Sequence, residues 1–331
     1  MNQAYIVDIA YYLPSNELSN KELETMFPEW SMDKIEQKTG IKNRHIASKD
    51  EFASDLAVKA AERLFENKLI NKDGIDFILY CTQSPDYFLP TTACILQERL
   101  GLSTKCGALD YNLGCSGYVY GLALSKGLIL SGVAKSVLLI TSETYSKYIN
   151  INDKVNRTIF GDAASATLVS TKGIAEILDF ELGTDGSGAQ NLIVKNGASR
   201  FSNGIHAEMG EVEHLECSLY MNGPEIFSFT AESVPILIKE SLNKNNLKES
   251  DINMFIFHQA NKFMLEFLKK LTNISDENFF TYYENIGNTV SSTIPIALSE
   301  ARKQNKLCGN VLIAGFGVGY SWGATILKFP N

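Results

Sequence analysis

Ile75-Asp76-Phe77-Ile78-Leu79-Tyr80-Cys81 follows the turn-forming Lys72-Asp73-Gly74, and Ile252-Asn253-Met254-Phe255-Ile256-Phe257-His258 follows Glu249-Ser250-Asp251 in the same way. Each is a near-continuous apolar run bounded by turn residues, the pattern of a strand covered on both faces. The second lies 177 positions after the first (75 to 252). A further pair of apolar runs, Val137–Thr141 and Val311–Ala314, is separated by 174 positions (137 to 311). Two strand pairs sharing nearly one offset predict an internal duplication. Helical stretches between the runs make the chain an α/β layered fold.

Working outward, one helix is expected to start near Cys115 and to end at Ser131-Gly132, where glycine supplies a stop. Cys115 advanced by 174 falls beside Asn288, and Cys81 advanced by 177 falls on His258. In a pseudo-twofold pair of halves, Cys115 and Asn288 would occupy matching helix N-termini, with the end of the His258 strand beside them.

The chain has 331 residues, 45% hydrophobic and 21% charged, with a formal charge of −8. That suits a large globular core and argues against a nucleic-acid binder, which shows a basic stripe. The start of the chain lacks a signal-type apolar core, and no apolar run reaches the ~18 residues needed to span a membrane. The expectation is a cytoplasmic protein. Six cysteines, at 81, 94, 106, 115, 217 and 308, show neither metal-ligand nor disulfide spacing.

Only Cys115 has a context that suggests chemistry. Leu113-Gly114-Cys115-Ser116-Gly117 surrounds it with small residues, and a helix N-terminus favours thiolate. Each residue of the trio also has an ordinary structural job: buried thiol, hydrogen-bonded core histidine, helix cap. Together, Cys115, His258 and Asn288 meet the needs of a decarboxylative condensation. A thiol carries the acyl group, and two neutral N–H donors hold the enolate oxygen left when a malonyl thioester loses carbon dioxide. The chemistry requires no metal or redox cofactor.

The motifs Gly114-Cys115-Ser116-Gly117-Tyr118, His258-Gln259-Ala260-Asn261, Gly287-Asn288-Thr289 and Gly317-Val318-Gly319-Tyr320-Ser321-Trp322-Gly323 resemble those of the β-ketoacyl-acyl carrier protein synthase III family. The likeness runs from Tyr11-Tyr12-Leu13-Pro14 to the last strand. It implies the thiolase-like fold, two duplicated halves in a five-layered α-β-α-β-α arrangement, here residues 1–172 and 173–331. It also implies a homodimer that condenses an acyl-CoA primer with malonyl-acyl carrier protein, through an acyl-Cys115 intermediate, to a 3-oxoacyl thioester.

By the same resemblance Trp30 and Arg157 flank the adenine of coenzyme A, and Asn261 orders the active-site amide network. Lys38-Thr39-Gly40-Ile41 stands where the family segment begins with arginine, which alters the phosphate contact. Val318 replaces a family glycine whose N–H forms an oxyanion hole with that of Cys115; the donor survives only if φ stays negative. Leu89 stands where the family often has phenylalanine at the end of the partner's acyl pocket, and its smaller side chain points to a primer longer or more branched than acetyl. Gly315-Phe316-Gly317-Val318-Gly319 lies too near the C-terminus to be a dinucleotide fingerprint.

Lys262, Lys269 and Lys270 follow His258 at spacings that share one helix face, with Leu265, Leu268 and Leu271 on a core-facing stripe. That cationic face is the expected platform for the acidic carrier protein. Two other readings are an acyltransferase without condensation, which would not need Asn288, and a non-catalytic synthase partner, which would not need Cys115.

Overall fold

The computed structural model describes residues 3–195, 198–199 and 218–330; Cys217 lies outside them. The first half runs β1 (Tyr5–Tyr12), β2 (Asn16–Ser19), α1 (Asn20–Met26), α2 (Met32–Thr39), β3 (Asn43–Ile46), α3 (Ala53–Phe65), β4 (Phe77–Cys81), α4 (Thr92–Arg99), β5 (Gly107–Tyr111), α5 (Gly117–Leu130), β6 (Ser136–Glu143), α6 (Lys154–Arg157) and β7 (Ala163–Ser170). The second runs β8 (Ala175–Thr184), β9 (Leu192–Val194), β10 (Leu219–Met221), α7 (Gly223–Lys244), β11 (Ile252–Phe257), α8 (Lys262–Leu271), α9 (Thr293–Lys303), β12 (Asn310–Gly317) and β13 (Ser321–Lys328).

Nine strands form one sheet in the order β11-β12-β13-β8-β1-β7-β6-β4-β5. Read outward from the β1–β8 junction, each side places its first strand, then its last, then the next-to-last, then its second. The duplication is thus written in the topology. The first half adds β5 at the rim, parallel to β4; in the second, an isolated parallel bridge, Phe255 to Phe279, stands at that place. The junction itself is short, pairing Tyr5 with Glu176 and Ile6 with Ala175.

The apolar runs singled out in the sequence are the buried strands β4, β6, β11 and β12. Helices α5 and α9 lie between the two sheet halves, where Tyr118, Val119, Leu122, Ile294, Ala297 and Leu298 join one core with strand residues of both. Outside, α3 packs on β1, β6 and β7, and α7 packs on β8, β12 and β13. Two outer helix layers, two sheet halves and one inner helix layer give the five-layered α-β-α-β-α thiolase-like fold. The inner helix is tightly seated: at Gly117 a Cβ would collide with Cys81 Sγ.

Candidate active site

Cys115 sits two residues ahead of α5, 7% exposed. Its wall is apolar, made with Tyr145, Ile149, Phe160, Leu192, Leu219 and Val290. On the opposite side the end of β12 presses on it: a Cβ at Gly317 would stand 3.0 Å from Cys115 Sγ. Only glycine leaves the sulfur room there.

The expected thiolate is not the resting state. Burial pushes the Cys115 thiol up to about 12, with the buried Glu143 carboxylate adding to the rise and the cysteine's own backbone N–H opposing it. A helix terminus contributes at most ~2 kcal/mol, whereas full burial shifts a group by up to ~3–5 pKa units. Desolvation wins.

His258 directly follows β11, and its N–H continues the parallel ladder to Ala314 O at 2.8 Å. Its imidazole is buried and meets the Phe316 ring edge-on, with centroids 5.8 Å apart. Thus Phe316 touches the histidine and Gly317, the next residue, touches the cysteine. Burial lowers His258 to about 3, so the ring is neutral. Nδ1 lies 2.8 Å from Thr293 Oγ1 and Nε2 lies 3.4 Å from Asn288 Nδ2.

Asn288 is placed by the other half of the molecule. It forms a parallel bridge with Phe160, donating its N–H to Ile159 O at 2.9 Å and accepting from Gly161 N at 3.0 Å. Its side-chain Oδ1 accepts from Val290 N at 2.9 Å, which turns the amide nitrogen toward His258. Val290 makes this possible with φ of 55°, a left-handed conformation costly for a β-branched residue.

The helix-start symmetry expected for Asn288 is corrected here. A 3-10 turn, Val290–Ser292, separates it from α9, and the residue two places before Thr293, matching Cys115 before Gly117, is Ser291. Asn288 makes an Asx-type turn rather than a helix cap.

Of the other expected residues, Trp30 and Asn261 line one cleft of about 560 Å³ together with Lys34, Lys38, Ile35 and Ile159. Ile159 also packs against the Cys115 cluster, so the cleft and the surroundings of the thiol share one wall residue. Asn261 caps α8, its Oδ1 accepting from Met264 N at 2.9 Å. Arg157 is not brought to this cleft; its guanidinium reaches Met26 Sδ at 3.6 Å, and the cation at the Trp30 face is Lys154, 5.8 Å from the ring centre. Val318 does not share the positive φ of its neighbour Gly319, which meets the condition for a backbone donor there. Leu89 is 82% exposed on a loop outside the Cys115 cluster of its own chain.

The sequence reading missed Glu143, Thr293 and the aromatic wall. Glu143 closes the apolar strand β6, fully buried, and accepts from Gln83 N, Ser84 Oγ and Ser291 Oγ. Its signal was a carboxylate at the end of an apolar run.

Family models for 3-oxoacyl-[acyl-carrier-protein] synthase III match residues 109–186, and its C-terminal model matches residues 242–329. A β-ketoacyl-[acyl-carrier-protein] synthase III of Clostridium perfringens is 38% identical over 333 residues, covering 99% of this chain and 100% of the relative. The chain belongs to the synthase III family. A crystal structure of a 3-oxoacyl-(acyl-carrier-protein) synthase III superposes with a TM-score of 0.93 at 46% identity, over 99% of this chain and 100% of that one. The priming β-ketosynthase of the R1128 polyketide pathway superposes at 0.90 with 25% identity, over 100% and 97%. In this synthase III family member, His258 Nε2 and Asn288 Nδ2 stand 3.4 Å apart, and the Gly317 that crowds the Cys115 sulfur directly follows the Phe316 that meets the His258 ring.

Proposed function

We propose that the protein condenses an acyl-CoA primer with a malonyl thioester, carried on acyl carrier protein, to give a 3-oxoacyl thioester. Cys115 attacks the primer's thioester carbonyl, coenzyme A leaves as its thiol, and the acyl group remains on sulfur. The malonyl thioester then loses carbon dioxide, and the electron pair of the broken C–C bond becomes an enolate. Its carbon attacks the acyl-Cys115 carbonyl, and the cysteine sulfur leaves. The backbone N–H groups of Cys115 and Val318 are the proposed holders of the acyl oxygen, and the Trp30 cleft is the proposed seat of coenzyme A.

The observation that carries this reading is the buried pairing of His258 Nε2 and Asn288 Nδ2 at 3.4 Å, with Val290, the residue that orients Asn288, packed in the same cluster as Cys115. Two neutral donors side by side suit an oxygen that becomes charged only during decarboxylation. A homodimer belongs to the same proposal: Tyr87, Phe88 and Leu89 project from the loop before α4, and Leu109 is exposed on the rim strand β5. Two exposed cysteines, Cys94 and Cys308, which have no disulfide partner among the described residues, suit a reducing cytoplasm.

The test separates the half-reactions. His258→Ala and Asn288→Ala should each accept an acyl group from acyl-CoA, read as a mass increment on the Cys115 peptide. Each should release carbon dioxide from malonyl-carrier protein roughly 10²–10³-fold more slowly, the cost of one oxyanion donor. Wild-type release from both variants would overturn the assignment.

A further inference from the structure

His258 is neutral and buried, so one ring nitrogen carries a hydrogen and the other does not. Which one decides what the residue can do. With the hydrogen on Nε2 it can hold an enolate oxygen; with Nε2 bare it repels one. The two tautomers need opposite partners at Nδ1, and that partner is Thr293 Oγ1 at 2.8 Å.

Thr293 opens α9 and is fully buried. Its hydroxyl also lies 3.0 Å from Val290 O. One hydroxyl hydrogen cannot serve both. If it went to Val290 O, Thr293 would have to accept from Nδ1–H, leaving Nε2 bare. If it goes to Nδ1, the ring hydrogen sits on Nε2.

Asn288 decides between them. Its amide is oriented by the Val290 N–H on Oδ1, so Nδ2–H faces Nε2. A bare Nε2 would draw that donor in to about 2.9–3.0 Å. At 3.4 Å the two nitrogens stand beyond the usual ~2.7–3.2 Å of an N–H bond, the spacing of two donors side by side rather than of a donor on a bare acceptor. We infer that Thr293 donates its hydroxyl hydrogen to His258 Nδ1 and so keeps the ring hydrogen on Nε2, making it a positioning residue for decarboxylation. This rests on the reaction proposed above. The same left-handed Val290 that orients Asn288 opens the short turn leading into Thr293, so one backbone feature serves both donors.

The experiment reads the tautomer directly. In protein labelled with ¹⁵N-histidine, the chemical shift separates protonated from bare ring nitrogens, and His258→Gln identifies the signals among four histidines. Wild type and Thr293→Ser should both show a protonated Nε2 and a bare Nδ1. Thr293→Val, similar in size but without the hydroxyl, should move hydrogen toward Nδ1. Its carbon dioxide release should fall about 10²-fold, as for loss of one donor, while acylation of Cys115 stays near wild type. A hydrogen on Nδ1 in the wild type overturns the inference without recourse to any variant, and so does wild-type decarboxylation by Thr293→Val. A wild type that takes the acyl group yet releases no carbon dioxide overturns the proposed reaction, and the role of Thr293 with it.

Discussion

The resting Cys115 thiol and the neutral His258 ring are both products of burial, and both have consequences for pH. Alkylation of Cys115 by iodoacetamide should rise with pH without a plateau near the ordinary thiol range, since burial and Glu143 hold the thiol up at about 12. A plateau near pH 8 would mean that the helix start stabilises thiolate after all. Above about pH 8, where Glu143 is ionised, Glu143→Gln removes a negative charge, so it should lower the thiol pKa and speed alkylation there. The same variant has a stability signature. Burial raises Glu143 from 4.5 to about 8, so the folded state holds a proton that the unfolded state releases. That contribution is present below about 4.5 and is lost as pH rises through 8. Wild type should therefore lose Tm across that window more steeply than Glu143→Gln. His258 works the other way: its lowered pKa disfavours the folded state as pH falls from 6.5 toward 3. None of these environments was legible in the sequence, because burial of a titratable group depends on what packs over it from the other half.

At the scale of the element, helix α8 shows where periodicity suffices and where it fails. Leu265 and Leu268 are buried as their spacing predicts, but Leu271 is 48% exposed, because the helix ends there and its last turn leaves the core. Lys262 and Lys270 are exposed. Lys269 is not a free cation: its side chain is only 14% exposed and is paired with Glu266 at 2.8 Å and with Asp276. Lys262 in turn borders a groove with Glu36 and Glu284. A carrier platform on this helix therefore rests on Lys262 and Lys270. Reversing both to Glu should raise the apparent KM for malonyl-carrier protein, most at low salt, and leave self-acylation from acyl-CoA unchanged. Lys269→Glu alone should instead lower Tm, because it faces two carboxylates with a third. Equal KM effects from all three positions would restore the original picture of one cationic face. Strands β4, β6, β11 and β12 were legible for a simple reason: a strand covered on both faces must be apolar throughout. The 3-10 turn before α9 was not, since nothing in Asn288-Thr289-Val290-Ser291 announces a valine in the left-handed region.

Across the whole molecule, the repeat offset read from two strand pairs is matched by the order of strands in the sheet, although it set Cys115 against the wrong residue of the second half. What it could not foresee was how the halves join. The sheet is continuous, yet only two residue pairs span the β1–β8 junction, while the larger contact runs through the inner helices and the Phe160–Asn288 bridge. Between β7 and β8 the chain turns at Thr171-Lys172-Gly173, all exposed. Cutting there would sever one covalent link and leave every one of those contacts available to form between separate molecules. Residues 1–172 and 173–331, expressed together as two polypeptides, should find each other and recover acyl transfer, with each piece alone aggregating through its uncovered inner face. Recovery would be read by co-purification of the pieces and by carbon dioxide release. Each active site would then be shared between two gene products, its thiol supplied by one and its two nitrogen donors by the other.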